Sequence, residues 1–75
     1  MLIQILGAGC PKCKKLEANT REALAKKKID ADVVKVTDSE EIMGMGVIMT
    51  PALVIDGEVK SVGKVLTVDQ IASQF

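Results

Sequence analysis

The chain predicts an α/β fold built on a four-stranded mixed sheet, and three observations carry that expectation. Of its 75 residues, 48% are apolar and 27% charged, with zero formal net charge, a balance that folds rather than stays disordered. Short β-branched runs alternate with amphipathic stretches in the order β-α-β-α-β-β-α. Finally, Asp56-Gly57 separates two extended runs near the end, and Asp-Gly is a strong hairpin pattern because both turn residues must accept positive φ. Helices between the first strands imply parallel pairing by crossover, while the Asp-Gly turn makes the last pair antiparallel.

The elements follow in order. Met1 to Leu6 (MLIQIL) is an apolar run closed by Gly7-Ala8-Gly9, suited to a buried strand that leads into a tight loop. A helix follows, with Cys10 at or near its N-cap and Pro11 at the first helical position, where a missing N–H costs nothing. Cys13, Leu16, Thr20, Ala23 and Leu24 recur at spacings of three and four, an inward stripe that runs to about Lys28. Glu17 with Arg21, and Glu22 with Lys26, are expected as i,i+4 pairs on the outer face. Ala31 to Val36 (ADVVKV) reads as the second strand. Asp38, with Glu41 three residues on, starts a short helix near Ser39 that ends at the glycines of Met43-Gly44-Met45-Gly46. Ile42, Met43 and Met45 are expected to fill core space rather than hold a soft metal. Ala52 to Ile55 and Glu58 to Val62 form the hairpin. Thr67 with Gln70 makes a capping box, with a Leu66 to Ile71 staple, and Val68, Ile71 and Phe75 form the apolar face of a terminal helix.

Length limits stability. A chain this short buries only about 60% of its unfolded surface, and ordering costs roughly 1.5 kcal/mol per residue, so nearly every Leu, Ile and Val is expected in one core and residues 1–75 in a single domain. The longest apolar runs, such as Met1 to Ile3 and Ala52 to Ile55, fall far short of the ~20 residues that span a bilayer. The apolar start has no basic residue before it, unlike a secretion signal. Both points lead to a cytoplasmic expectation, where two cysteines serve catalysis or metal binding more often than they staple a fold. Zero net charge conceals an asymmetry: residues 1–28 carry seven basic groups against two acidic, and residues 29–75 three against eight. Without stacking aromatics, the basic stretch reads as a solvated helix face and not as a nucleic-acid surface.

Chemistry is concentrated in Cys10-Pro11-Lys12-Cys13 at the strand-to-helix junction. Two intervening residues bring both sulfurs to the first helical turn, so a disulfide there can open and close with little backbone movement. Cys10 at the cap projects into solvent and is placed to attack; Cys13 begins the inward stripe and is placed to resolve. Unbonded N–H groups and the helix dipole stabilise a thiolate at Cys10, and Lys12, Lys14 and Lys15 add positive potential. Pro11 cannot donate a hydrogen bond to Cys10 and stiffens the loop. The second feature is Thr50-Pro51, a proline directly before a strand.

A CPxC motif after the first strand, a Thr-Pro before a hairpin and Gly63 after that hairpin together resemble the thioredoxin–glutaredoxin superfamily, and more narrowly its very small archaeal and bacterial thioredoxins, the redox-active disulfide proteins. The likeness covers the whole chain and implies a thioredoxin-like fold. It implies a thiol–disulfide oxidoreductase in which Cys10 attacks a protein disulfide, Cys13 resolves the mixed disulfide, Pro51 is a cis-proline shaping the groove and Thr50 offers its backbone to an extended partner segment. It implies no bound cofactor and reduction by an unidentified reductase or low-molecular-weight thiol; the chain is expected to be a monomer, and its composition and short apolar runs argue against nucleic-acid and membrane partners. The chain departs from the family at three places. Gly9 and Lys12 stand where aromatics flank or divide the cysteines, and Gly63-Lys64 stands where a glutathione-binding chain has Gly-Gly and an acidic residue. Gln4, six before Cys10, stands where thioredoxins carry a buried Asp, so the resemblance assigns Cys13 no proton acceptor.

The rival from another class is a soft-metal carrier holding Cu(I) or, with a partner's ligands, Zn(II) on the same two cysteines. Small ferredoxin-like carriers run β-α-β-β-α-β and end on a strand. This chain has its hairpin late and ends on a helix, and Ala8 stands where such carriers favour Met.

Overall fold

The first strand is central because it is apolar on both faces. In the computed structural model, which describes residues 1–7 and 11–75, β1 (Leu2–Leu6) buries Ile3, Ile5 and Leu6 almost completely. The chain continues through α1 (Pro11–Lys27), β2 (Asp32–Val36), α2 (Ser39–Gly44), β3 (Ala52–Ile55), β4 (Glu58–Val62) and α3 (Val68–Ala72). The sheet order is β2-β1-β3-β4. β1 runs parallel to β2, with Leu6 opposite Val36, and antiparallel to β3, with Leu6 opposite Ala52. The fold is thus the thioredoxin-like α/β arrangement with a mixed four-stranded sheet.

Alternation along β1 and β3 divides the core in two. Ile3, Ile5, Leu53 and Ile55 face Leu16, Ala23 and Leu24 of α1 and Ile71 and Ala72 of α3. On the other face Leu6, Val36, Ala52 and Val54 meet Ile42 of α2 and Val47. The inward stripe of α1 is Cys13, Leu16, Thr20, Ala23 and Leu24. Buried Thr20 is accommodated because its hydroxyl donates to the Leu16 carbonyl at 2.7 Å. Lys28, at φ 55°, closes α1, and the Ile29 N–H returns to the Leu24 carbonyl at 3.0 Å.

The local turn chemistry is visible in the backbone. Asp56 and Gly57 both have positive φ, 49° and 82°, and Asp56 also ties the hairpin to β1, its Oδ1 accepting the Leu2 N–H at 2.8 Å. β3 and β4 shift register between Leu53 and Val54, which face Ser61 and Val59, leaving Lys60 as the extra residue of a bulge. Asp38 caps α2 by accepting the Glu40 N–H at 2.9 Å. At α3 the Thr67 hydroxyl accepts the Gln70 N–H at 3.2 Å while the Gln70 side chain accepts the Thr67 N–H at 3.0 Å.

Several expectations are corrected. Not every Leu, Ile and Val reaches the core: Val34, Val59 and Val62 are exposed on the two edge strands and Ile48 is 89% exposed on the open segment before β3, where no layer covers them, and Leu2, the first residue of β1, is exposed as well. Met43 and Met49 are likewise exposed, and only Met45 packs against the core. Lys26 bonds Asp69 of α3 rather than Glu22, since the packing of α3 against α1 brings a carboxylate within its reach. Phe75 packs against the core but lies beyond the end of α3. Finally, α2 carries the chain from edge strand β2 past β1 to β3, so that crossover does not produce a parallel neighbour.

Candidate active site

Strand directions gather one end of the sheet into a site. β1 and β2 end at Leu6 and Val36, and antiparallel β3 begins at Ala52, so Gly7, Thr37 and Thr50 meet where α1 starts. The Gly7 N–H donates to the Val36 carbonyl at 2.9 Å, pinning that corner. Cys13, the third residue of α1, is only 5% exposed. Its sulfur lies so close to Gly7 that a Cβ there would collide with Cys13 Sγ, while also coming within 3.6 Å of Thr50 Cβ. Gly7, Cys13 and Thr50 are therefore in one packed corner, and a side chain at residue 7 would close it.

The remaining sequence-derived residues are placed as follows. Pro11 and Lys12 are exposed on the first turn of α1, with Lys14 and Lys15 beside them. The Thr50–Pro51 peptide bond is cis; Pro51 is buried, Thr50 is exposed, and the Pro51 carbonyl accepts the Gly63 N–H at 2.8 Å. Gly63, at φ 73°, is covered by Met49, whose Cε would lie 3.3 Å from a Cβ at residue 63. Gln4 is half-buried in β1 between Val34 and Val54. Cys10, with its expected cap position and exposure, and Ala8 and Gly9 lie outside the described residues.

Two concavities flank the corner. The larger, about 420 Å³, is an open groove lined by Thr37, Ile42, Met43, Ile48 and Thr50 among others. The smaller, about 40 Å³, is lined by Ile5, Gly7, Cys13, Lys14, Glu17, Lys35 and Thr37. Thr37 borders both. Glu17 and Lys35 were singled out by no motif. Glu17 lies four residues after Cys13, the spacing that puts two side chains on one helix face, but Lys35 reaches it only through the parallel pairing of β2 with β1. Lys35 Nζ is 2.9 Å from Glu17 Oε1 and Arg21 Nη2 3.0 Å from Oε2. Hydrogen bonding from Lys35 holds the Glu17 carboxyl below the usual range; partial burial opposes this, and Arg21 adds to it.

Among the described residues, no helix is long and apolar enough to cross a membrane, and no group of three or more potential metal ligands occurs. The chain matches the family described as thioredoxin domain over residues 1–75. It is 41% identical over 71 residues to the protein named thioredoxin of Methanothermobacter thermautotrophicus, covering 95% of this chain and 92% of that one. To the thioredoxin of Methanocaldococcus jannaschii it is 38% identical over 75 residues, covering 100% and 86%. With the four-stranded mixed sheet, the buried cysteine at the start of α1 and this likeness over its full length, the chain belongs to the small archaeal branch of the thioredoxin family and is a thiol–disulfide oxidoreductase.

Proposed function

We propose that the chain, acting as a single domain over residues 1–75, exchanges electrons with protein disulfides through a Cys10–Cys13 dithiol/disulfide couple. The observation that supports this reading is the burial of Cys13 at the start of α1, its sulfur close against Gly7, in the corner where Thr50 borders an open groove. Cys10 attacks the substrate disulfide, releasing one substrate thiolate. Cys13 then attacks the mixed disulfide, so that Cys10–Cys13 forms and the second substrate thiolate leaves. Lys12, exposed on the first turn, adds positive potential that favours the Cys10 thiolate, and Pro11 limits the loop's freedom. Thr50 and Pro51 shape the surface against which an extended segment of the substrate lies. The oxidised couple returns to the dithiol through a reductase or a low-molecular-weight thiol, in the reducing cytoplasm and with the chain as a monomer. Carriage of Cu(I) or Zn(II) gains no support from the element order, since a second helix, α2, stands between β2 and the β3–β4 hairpin.

Insulin-type disulfide reduction tests the proposal. Cys10→Ser should abolish turnover, whereas Cys13→Ser should still attack and then accumulate mixed disulfide. The couple should titrate reversibly between about −300 and −120 mV. A chain that forms no Cys10–Cys13 disulfide under mild oxidation, yet binds Cu(I) tightly in competition, is not an exchange catalyst.

A further inference from the structure

A sulfur buried like that of Cys13 must lose its proton each time it attacks, and it is only 5% exposed to solvent. The cavity beside it measures about 40 Å³, room for one water, whose share of liquid volume is roughly 30 Å³. Its lining decides where a proton can go. Lys14 and Lys35 are donors only, the Thr37 hydroxyl keeps its proton near neutrality, and Ile5 and Gly7 offer no titratable group. Among the described residues that line it, Glu17 has the one side chain that can accept a proton at pH 7.

We propose that Glu17 accepts the Cys13 proton through a water held in this cavity and passes it to solvent. The inference rests on the exchange reading above, for which Cys13 is the resolving cysteine. In that step the Cys13 S–H bond breaks and its proton moves through the water to a Glu17 oxygen. The remaining electron pair attacks the Cys10 sulfur of the mixed disulfide. The Cys13–Cys10 bond forms, the Cys10–substrate bond breaks, and the substrate leaves as a thiolate that takes a proton from solvent. When the couple is reduced again, the same path returns a proton to Cys13.

The surroundings of Glu17 suit a relay rather than a store. Its side chain is 15% exposed, and both oxygens are held, Oε1 by Lys35 and Oε2 by Arg21. The charged groups around it are Lys14 and Arg21 on α1 and Lys35 on β2, all cationic. They keep the carboxylate ionised between turnovers, so that it begins each one without a proton and releases the one it takes. A purely electrostatic role has the opposite sign. Removing a negative charge near Cys13 favours its thiolate and would speed resolution, whereas removing a proton acceptor slows it.

The full chain with 5,5′-dithiobis(2-nitrobenzoate) separates the two, because Cys10 attack releases a first equivalent of thionitrobenzoate and Cys13 resolution a second. In Glu17→Gln the first release should be unchanged, while the second slows about 100-fold at pH 7 and recovers as pH rises toward the free-thiol value of about 8.5. Lys35→Met keeps the carboxylate, so its second release should persist at pH 7 with the acid limb moved to higher pH. A second release that is unchanged or faster in Glu17→Gln overturns the proposal, as does a loss in Lys35→Met as large as in Glu17→Gln. If the wild-type chain releases only one equivalent, the exchange reading itself fails.

Discussion

Gly7 shows how one missing side chain sets the corner around Cys13. A Cβ there would collide with Cys13 Sγ, so Gly7→Ala should displace the sulfur, cost about 1–3 kcal/mol of overpacking and slow the resolving step; urea unfolding and the two-phase thionitrobenzoate release measure both. Glu17 contributes to stability as well as to the proposed proton path. Lys35 bonding holds its carboxyl below the ordinary 4.5, so the folded state binds this proton less readily than the unfolded chain. The resulting stabilisation is fully present above the ordinary value and is lost as pH falls from there through the lower folded value. Unfolding free energy measured from pH 7 down to pH 3 should therefore fall less steeply in Glu17→Gln than in the wild type. Equal slopes would show that the ion pairs contribute nothing to folding.

At the scale of elements, the turns and caps carry much of what keeps short segments in place. α3 is only five residues long, too short to persist without tertiary contacts, and its reciprocal Thr67–Gln70 capping box supplies two bonds that the first turn cannot make itself. Thr67→Ala should cost about 1 kcal/mol, read as a lower urea midpoint with an unchanged slope. Asn19 ties α1 to the same region, its Nδ2 donating to the Leu66 carbonyl at 2.9 Å. The groove beside Thr50 draws its wall from α2 and from the segment before β3, where Ile48 is 89% exposed. An apolar side chain left in water in so small a domain contributes nothing to the core. Ile48→Ser should leave the melting temperature unchanged and weaken reduction of a protein disulfide more than of a small disulfide reagent. A large drop in melting temperature would place Ile48 in the core instead.

For the molecule as a whole, the margin is narrow. Domains of this size are stable by roughly 0.05–0.15 kcal/mol per residue, and Leu53, fully buried between β1, α1 and α3, stands at the centre of the larger core. Leu53→Ala should cost about 2–5 kcal/mol, enough to populate the unfolded state at moderate temperature, as far-UV circular dichroism on heating would record. The same narrow margin explains the division of labour in the sheet. One face is sealed by α1 and α3, the other by little more than α2, and that thinner cover leaves the groove beside Thr50 open to a partner.

Local patterns decided much of this protein. The stripe from Cys13 to Leu24, the Asp56-Gly57 turn, the Asp38 and Thr67 caps and the element order depend on neighbours within a few residues, where backbone preference and helical or strand periodicity act directly, and the resemblance in the CPxC, Thr-Pro and Gly63 positions pointed to the family. What only the tertiary structure decided depends on distant segments meeting. The antiparallel seat of β3 beside β1 joins Gly7 to Thr50, the parallel seat of β2 brings Lys35 to Glu17, and the packing of α3 diverts Lys26 from Glu22 to Asp69. Exposure of Ile48, Met43 and Met49 belongs to the same class, because an apolar residue reads as core in any local window and only the absence of a covering layer leaves it in water. Pairing across the sheet is set by which faces can be buried together, a property of the whole chain and of no single stretch of it.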